Sequence, residues 1–415
     1  MNDINSCRAA FSQTDITPEF PVEMIVCYRE DNRPDGVLHP LCAQVLLFEY
    51  QTVRCCLIAI DSLGLTTALS YELRAMVADV LGTAAINVML NFSHTHSAPA
   101  PKSPLNGRRY FTLLCDRVVA CVRDAIKLLQ PCLAGWSVGE TDIGENRRDG
   151  CSIVDKRLGA LQVINAINKT PITVLLRVCA HANILMTGSS KLSSDYVGAA
   201  RDKISARFGC PVMLVQGAAG NIKPSGVDKI NGGDISDVDR ISDMLLQSAA
   251  QLRFEPKEVT RLFMCEKAIE LQSDVPLEDE AKEIAVKAGI DAEGWLAECA
   301  RLRSTGASSQ IQDGSIYFLF LNEGCLCGVP DEIFCEVSLA VVDQTQSPLL
   351  FFNGYTNGCT GYLPHREEWA KGGYETFDSY LIYYVYHGHV LPYRADTAEK
   401  LVNTVVATWK DNDQD

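Results

Sequence analysis

The chain runs Ile86-Asn87-Val88-Met89-Leu90-Asn91-Phe92-Ser93-His94-Thr95-His96-Ser97, an apolar run that breaks directly into two histidines one residue apart. The run from Ile86 to Phe92 is short and β-like. In an extended segment the side chains at i and i+2 leave the same face, so His94 and His96 are expected to project together past the strand's carboxyl end. In open α/β sheets that end is where ligands bind. Two imidazoles held close together each need partners for their polar nitrogens. The motif alone leaves two readings open, a pair of hydrogen-bonded loop histidines or the beginning of a site.

Outward from this stretch, the hydrophobic period switches repeatedly between strand and helix. Ala43 to Phe48 and Arg54 to Ile60 read as strands, and Thr66 to Leu81 as a helix. Arg109 to Gln130 is a long amphipathic helix with Phe111, Leu114, Val118, Val122, Ala125 and Leu129 on one side. Next come a strand Ile172 to Val178, a helix Tyr196 to Phe208, a strand Val212 to Val215 and a helix Val238 to Leu252. Past Glu258 a longer alternating strand leads into a charged helix from Pro276 to about Arg303 with a solvated face. Strands Ser315 to Leu321 and Leu349 to Phe352 then flank a helix Asp331 to Asp343. This alternation predicts an α/β fold with at least one largely covered sheet. The expected organisation is one catalytic unit over 1–415, with 257–310 as an inserted or second lobe.

Composition narrows the function. The 415 residues are 47% hydrophobic and 21% charged, which excludes disordered and collagen-like chains. Lys and Arg number 37 against 52 Asp and Glu, and a net charge of −15 repels phosphate backbones, so no nucleic-acid partner is expected. The amino terminus lacks the basic start and apolar run of a signal peptide, and no stretch of about 18 apolar residues could form a transmembrane span. The 17 cysteines are scattered singly apart from the pair Cys55 and Cys56 and the C-x-C at Cys325 and Cys327. Without a C-x-x-C they read as small buried hydrophobes in a reducing, cytoplasmic setting. A homo-oligomer is compatible with all of this.

Seven histidines are present: His39, His94, His96, His181, His365, His387 and His389. His181 also follows an apolar strand, in Arg177-Val178-Cys179-Ala180-His181, and with His94 it begins to look like a metal site. A third strand end is Gly328-Val329-Pro330-Asp331-Glu332-Ile333-Phe334. There Glu332 falls in an expected first helical turn, where the dipole favours a carboxylate, so capping is its alternative reading. The segment Asn357 to His365, followed by Gly372-Gly373-Tyr374-Glu375, has the glycines and phenols of a site-shaping loop. His365, His387 and His389 default to loop surface. Gly135-Trp136-Ser137-Val138-Gly139 fits the nucleophile pattern G-x-S-x-G, but no strand-to-helix turn surrounds it and no serine nucleophile is expected.

Taken in order, the motifs resemble those of the neutral/alkaline (non-lysosomal) ceramidases and their shorter bacterial relatives. Asp15-Ile16-Thr17-Pro18 looks like that family's D-I-T-P, Ser93 to Ser97 like its T-H-T-H-S, and Asn146-Arg147 like its N-R pair. His181 with Ser193-Ser194-Asp195-Tyr196-Val197-Gly198 resembles the H-P block and S-x-D-x-x-G. Gln216-Gly217-Ala218-Ala219-Gly220-Asn221-Ile222-Lys223-Pro224 resembles Q-G-x-x-G-D-x-x-P, Pro330-Asp331-Glu332 resembles P-G-E, and Asn357 to Glu375 resembles the N-x-x-x-x-Y…Y-E block.

The resemblance implies a mixed-sheet catalytic domain of the family's amino-terminal type, and a zinc ion (Zn2+) bound by His94, His181, Glu332 and Tyr362. It places His96 as a proton-transfer group, with Arg147 and Tyr374 on the substrate or its developing oxyanion. For Asp61 and Asp195 two readings stand side by side, acceptors that orient imidazoles or caps of a turn. The chain departs from the pattern at Asn221, Lys223 and Asp331. Asn221 and Lys223 are expected to face the substrate, the lysine pairing with an anionic group, and the family's extra carboxyl-terminal β-domain is expected to have no counterpart. The activity implied is zinc-dependent hydrolysis of a carbon–nitrogen amide bond, in a small soluble amide or lactam-like compound rather than ceramide. The alternatives are an ester hydrolase with the same site and a non-catalytic metal-binding relative.

Overall fold

A computed structural model describes residues 7–24 and 31–412; the first six positions of the amino-terminal stretch read above lie outside them. Val88–Phe92 is a strand buried at all five positions, and it forms one edge of a nine-stranded sheet. From the opposite edge the order is Val212–Gln216, Pro171–Val178, Arg157–Asn165, Gln130–Glu140, Arg8–Asp15, Cys42–Tyr50, Val53–Ile60 and Val88–Phe92, with Lys257–Glu258 added to Gln130–Glu140. Both outer pairs are parallel and the strands between them antiparallel.

The sheet curls until its two edges meet. The Asn91 carboxamide accepts the Gln216 N–H at 2.7 Å and donates to the Gln216 carbonyl at 3.0 Å. The segment just past Leu350–Asn353 is threaded into this seam: Phe92 N–H donates to the Tyr355 carbonyl and Gly354 N–H to the Gly217 carbonyl.

Strand Cys42–Tyr50 shows why several strands read as continuous apolar runs. Val45 and Leu47 pack with Phe111, Leu114 and Val118 of the helix Gly107–Leu128. Leu46 and Phe48, pointing the other way, pack inside the curl with Leu161, Leu175 and Met213. Both faces are covered, so the alternation of a half-exposed strand is absent. Helices Asp195–Phe208 and Ile235–Ala249 cover the other end of the sheet, against Val174, Leu176 and Leu214. A second, four-stranded sheet has the order Leu262–Asp274, Ser309–Leu321, Gly324–Gly328, Leu350–Asn353. Its Leu319 and Leu326 close the inside of the curl. Among the described residues no helix is long and apolar enough to cross a membrane.

Two local expectations are corrected. The charged helix is two helices, Glu278–Ala288 and Glu293–Ser304, broken at Gly289, whose φ of +66° suits glycine. They bridge the arms of the Leu262–Asp274 and Ser309–Leu321 pair, and the Trp295 indole N–H donates to the Val390 carbonyl at 2.7 Å. The helix expected from Asp331 starts at Cys335, because Glu332–Ile333 pairs as a strand with Tyr362–Leu363. Gly135 to Gly139 lie inside the strand Gln130–Glu140, and a Cβ on Gly135 would stand 2.8 Å from the Glu255–Pro256 backbone. Close strand packing accounts for that glycine.

Candidate active site

His94 and His181 each sit just past the carboxyl end of a strand, and Glu332 opens the short strand Glu332–Ile333. The strand before His94 stops at Phe92, and His94 adopts φ +60°. The extended geometry expected for His94 and His96 is therefore corrected: a left-handed residue turns the two rings edge to face, centroids 5.1 Å apart. His181 follows Pro171–Val178, its N–H on the Ile222 carbonyl. The seam between the sheet edges brings the rings of His94 and His181 to 4.6 Å. Glu332 arrives from the second sheet, placed opposite Tyr362 by their parallel pairing, its N–H on the Gly361 carbonyl at 2.8 Å.

Glu332 Oε2 is 3.2 Å from His94 Nε2 and 3.3 Å from His181 Nε2, and the Tyr355 hydroxyl donates to the same oxygen at 3.4 Å. Each imidazole faces a backbone carbonyl through its other nitrogen, His94 Nδ1 to Leu63 at 2.6 Å and His181 Nδ1 to Ala219 at 2.7 Å. Those contacts assign the hydrogens to Nδ1 and leave two Nε2 lone pairs directed at a carboxylate oxygen. Burial, with Arg147 nearby, pushes His181 down to about 4, so it is neutral at pH 7.

Three electron-rich atoms facing one another in a buried site fit a cation between them. A His2Glu donor set is the catalytic zinc pattern, and the carbonyls behind the rings fix their orientation as such sites require. Among the described residues two groups have ligand atoms within 4.8 Å of one another, His94 with His96 and His181, and His94 with Glu332 and Cys359. Cys359 lies on the outer side, with Sγ 3.9 Å from Glu332 Oε1.

The site opens into a cavity of about 640 Å³ whose lining includes His94, His96, Arg147, Glu332, Tyr362 and Tyr374. Arg147 is fixed from three sides. Nη2 donates to the Gly220 carbonyl at 2.5 Å and to the Tyr362 hydroxyl at 3.0 Å, and Nε is 3.1 Å from Glu375. Burial works against its charge, but Tyr362 and Glu375 outweigh it and raise its pKa. Burial and the flanking His94 and His181 hold His96 well below the usual histidine range, so it enters the site neutral. The Tyr374 ring meets that of Tyr362 at 6.1 Å.

The structure gathers His94, His96, His181, Glu332, Arg147, Tyr362 and Tyr374, but two of the three departures from the motif, Asn221 and Lys223, turn elsewhere. Lys223 Nζ bonds Glu145 at 3.0 Å and the Val227 carbonyl at 2.8 Å, so its expected substrate contact is corrected to an internal ion pair across the ladder 144–146/222–224. Asn221 donates to Glu336 and accepts from the Cys335 N–H, so it too is spent on the framework. Asp61 grips Arg201 through both oxygens, and Asp195 accepts the Leu185 and Tyr196 amides. His387 and His389 are not loop surface. His389 is buried, and His387 lines the cavity. A Cβ on Gly361 would come within 3.1 Å of three atoms of the His387 ring. The sequence reading does not single out Tyr355, although it carries the same signal as the histidines, a polar residue just beyond an apolar strand.

Among solved structures, the chain is similar to neutral ceramidase from Pseudomonas aeruginosa, with 19% identity and a TM-score of 0.73 over 98% of this chain and 75% of that one. It is also similar to a ceramidase complexed with C2, with 18% identity and a TM-score of 0.71 over 98% of this chain and 76% of that one. No family model and no curated protein sequence matches. The chain has the neutral ceramidase fold, a mixed α/β architecture, as the resemblance implied.

Proposed function

We propose that the protein is a zinc-dependent hydrolase of a carbon–nitrogen amide bond. The observation that carries this reading is the convergence of the His94 and His181 Nε2 atoms on Glu332 Oε2, with both Nδ1 atoms already committed. The fold shared with two ceramidases supports it. His94, His181 and Glu332 would hold the ion, with Tyr362 and Tyr355 the phenols beside it. When bound, zinc supplies Lewis acidity and brings the pKa of water at the site to about 7.

The chain's own groups do the rest. Neutral His96 accepts a proton from the attacking water and returns it to the departing amine. Arg147, held on Tyr362 and Glu375, offers its guanidinium to the carbonyl oxygen as charge develops there, and Tyr374 closes the other side. Such a donor is worth about 3 to 4 kcal/mol in the transition state.

The cavity revises the substrate expected from sequence. Leu63, Leu65, Leu69, Met186 and Ile230 contribute to its walls. A volume of about 640 Å³ with such walls suits an N-acyl amide carrying an apolar arm better than a small soluble or lactam-like compound. The sixteen described cysteines are all free, which supports a reducing, cytoplasmic setting.

The test combines elemental analysis with a panel of N-acyl amides and matched esters. Stoichiometric zinc, with amide cleavage lost on chelation and restored by zinc, is the expected result. Ester cleavage alone, amide cleavage that survives metal removal, or bound zinc without any hydrolysis would each overturn it.

A further inference from the structure

Behind the cavity, the carboxylate of Glu336 in the first turn of the helix Cys335–Thr345 collects donors from three separate segments. Its Oε2 accepts from Asn221 Nδ2 at 2.8 Å and from the Cys335 thiol at 3.3 Å. Its Oε1 accepts from Asn146 Nδ2 at 3.3 Å and from the Cys151 thiol at 3.5 Å. His365 Nδ1 stands 3.8 Å away, and the Glu336 side chain is only 10% exposed.

The donors lead to Arg147 by two routes. Asn146 precedes it in the chain, and the Asn146 side-chain oxygen also accepts the Arg148 N–H at 3.0 Å. Asn221 accepts the Arg147 N–H on its own carbonyl at 2.9 Å, while its side-chain oxygen takes the Cys335 N–H at 2.9 Å. One largely covered carboxylate thus fastens the strand before Arg147, the turn whose Gly220 carbonyl receives the guanidinium, and the segment leading from Glu332. Hydrogen bonds to an ionised acceptor are about twice as strong as neutral ones, so this is a stiff joint.

We propose that Glu336 and Asn221 form a matched pair, one carboxylate and one amide, that sets where the Arg147 guanidinium stands in the cavity. Glu336 is a positioning residue. The pair accommodates a single negative charge: with acids at both positions, two carboxylate oxygens would face each other at hydrogen-bond distance, and both cannot stay ionised. Moving the charge is a different matter. With an acid at 221 and an amide at 336, the new amide donates to the new carboxylate, which still accepts the Cys335 N–H.

The test is the set Asn221→Asp, Glu336→Gln and the double variant, measured for melting temperature, metal content, kcat and KM on an N-acyl amide. The activity arm rests on the reading of Arg147 above, and the melting arm does not. Asn221→Asp should lower the melting temperature and cut kcat on the order of 100-fold with little change in KM, as expected when a group aimed at the reacting centre is displaced. Metal content should hold. The double variant should recover most of both losses. A double variant as impaired as Asn221→Asp, or an Asn221→Asp protein identical to wild type, overturns the pair. If Asn221→Asp is insoluble, soluble expression of the double variant is the same rescue, and failure of both counts against the proposal. A wild-type protein that cleaves no amide removes the proposed function, while the order of melting temperatures still decides the pair.

Discussion

His94-Thr95-His96 and His387-Gly388-His389 are the same short motif in two settings. The first follows an edge strand, and its His94 turns through a left-handed φ beside His181 and Glu332. The second ends the helix Ser379–His387, with Gly388 as the left-handed cap. Its rings lie among phenols, His387 at 4.8 Å from Tyr380 and His389 stacked at 4.2 Å on Tyr393. Both pairs have an imidazole tied by Nδ1 to a carbonyl, at Leu63 in one and Leu391 in the other. The difference is the carboxylate. Spacing makes two imidazoles neighbours, but only topology delivers His181 and Glu332, which with His94 make a place for a cation.

The comparison can be broken most sharply at its first member. His94→Ala should abolish metal binding and amide cleavage together, to background in elemental analysis and assay, whereas His389→Asn should leave both intact. Loss of metal from His389→Asn would erase the distinction. Next in size, Arg147→Met should retain the metal and lower kcat by roughly 10² to 10³, the range for removing one oxyanion donor. Tyr355→Phe removes the hydroxyl on Glu332 Oε2 and should weaken metal affinity by about 10- to 100-fold, read by competition with a chelator.

The smallest effect belongs to the second motif. Burial pushes His389 down to about 4, and burial with His389 beside it pushes His387 down to about 3. A folded pKa below that of the unfolded chain means the unfolded state binds the proton first. The stability is present above about pH 6.5 and is lost as pH falls toward 4. His389→Asn, whose amide keeps a donor for the Leu391 carbonyl, should flatten that acid limb by on the order of 3 kcal/mol in denaturant titrations at pH 7 and pH 4.

Legibility in the sequence divides along the same line. His94, His181 and Glu332 were visible as polar residues just past apolar runs, because a strand end is a local pattern. What joins them was not. Asn221 meets Glu336 across 115 residues and Arg148 meets Glu375 across 227, and neither contact leaves a periodic trace. Lys223 is expected on an anionic group of the substrate because nothing local reveals that Glu145 lies opposite it in a ladder. Tyr355 was missed although its position obeys the rule, since the loop around it offered louder glycines. The continuous apolar strands point to a largely covered sheet, but its curl leaves no such trace; one tie across the seam is Asn91, an asparagine within an apolar run.

That asparagine also sets an order of events. Asn91 reaches Gln216 across 125 residues, and Leu90 N–H donates to the Asn357 side chain across 267. Contacts so distant along the chain form late, since the entropy of closing those loops must be met before they contribute. A ribosome-bound chain that has emerged through residue 216 already owns both histidines, yet it lacks the strand that carries Glu332 and the segment threaded between the sheet edges. The three groups of the candidate metal centre therefore come together only after residue 332 and the segment following it have been made, and metal loading, if it occurs there, would report on a fold whose sheet edges are already joined.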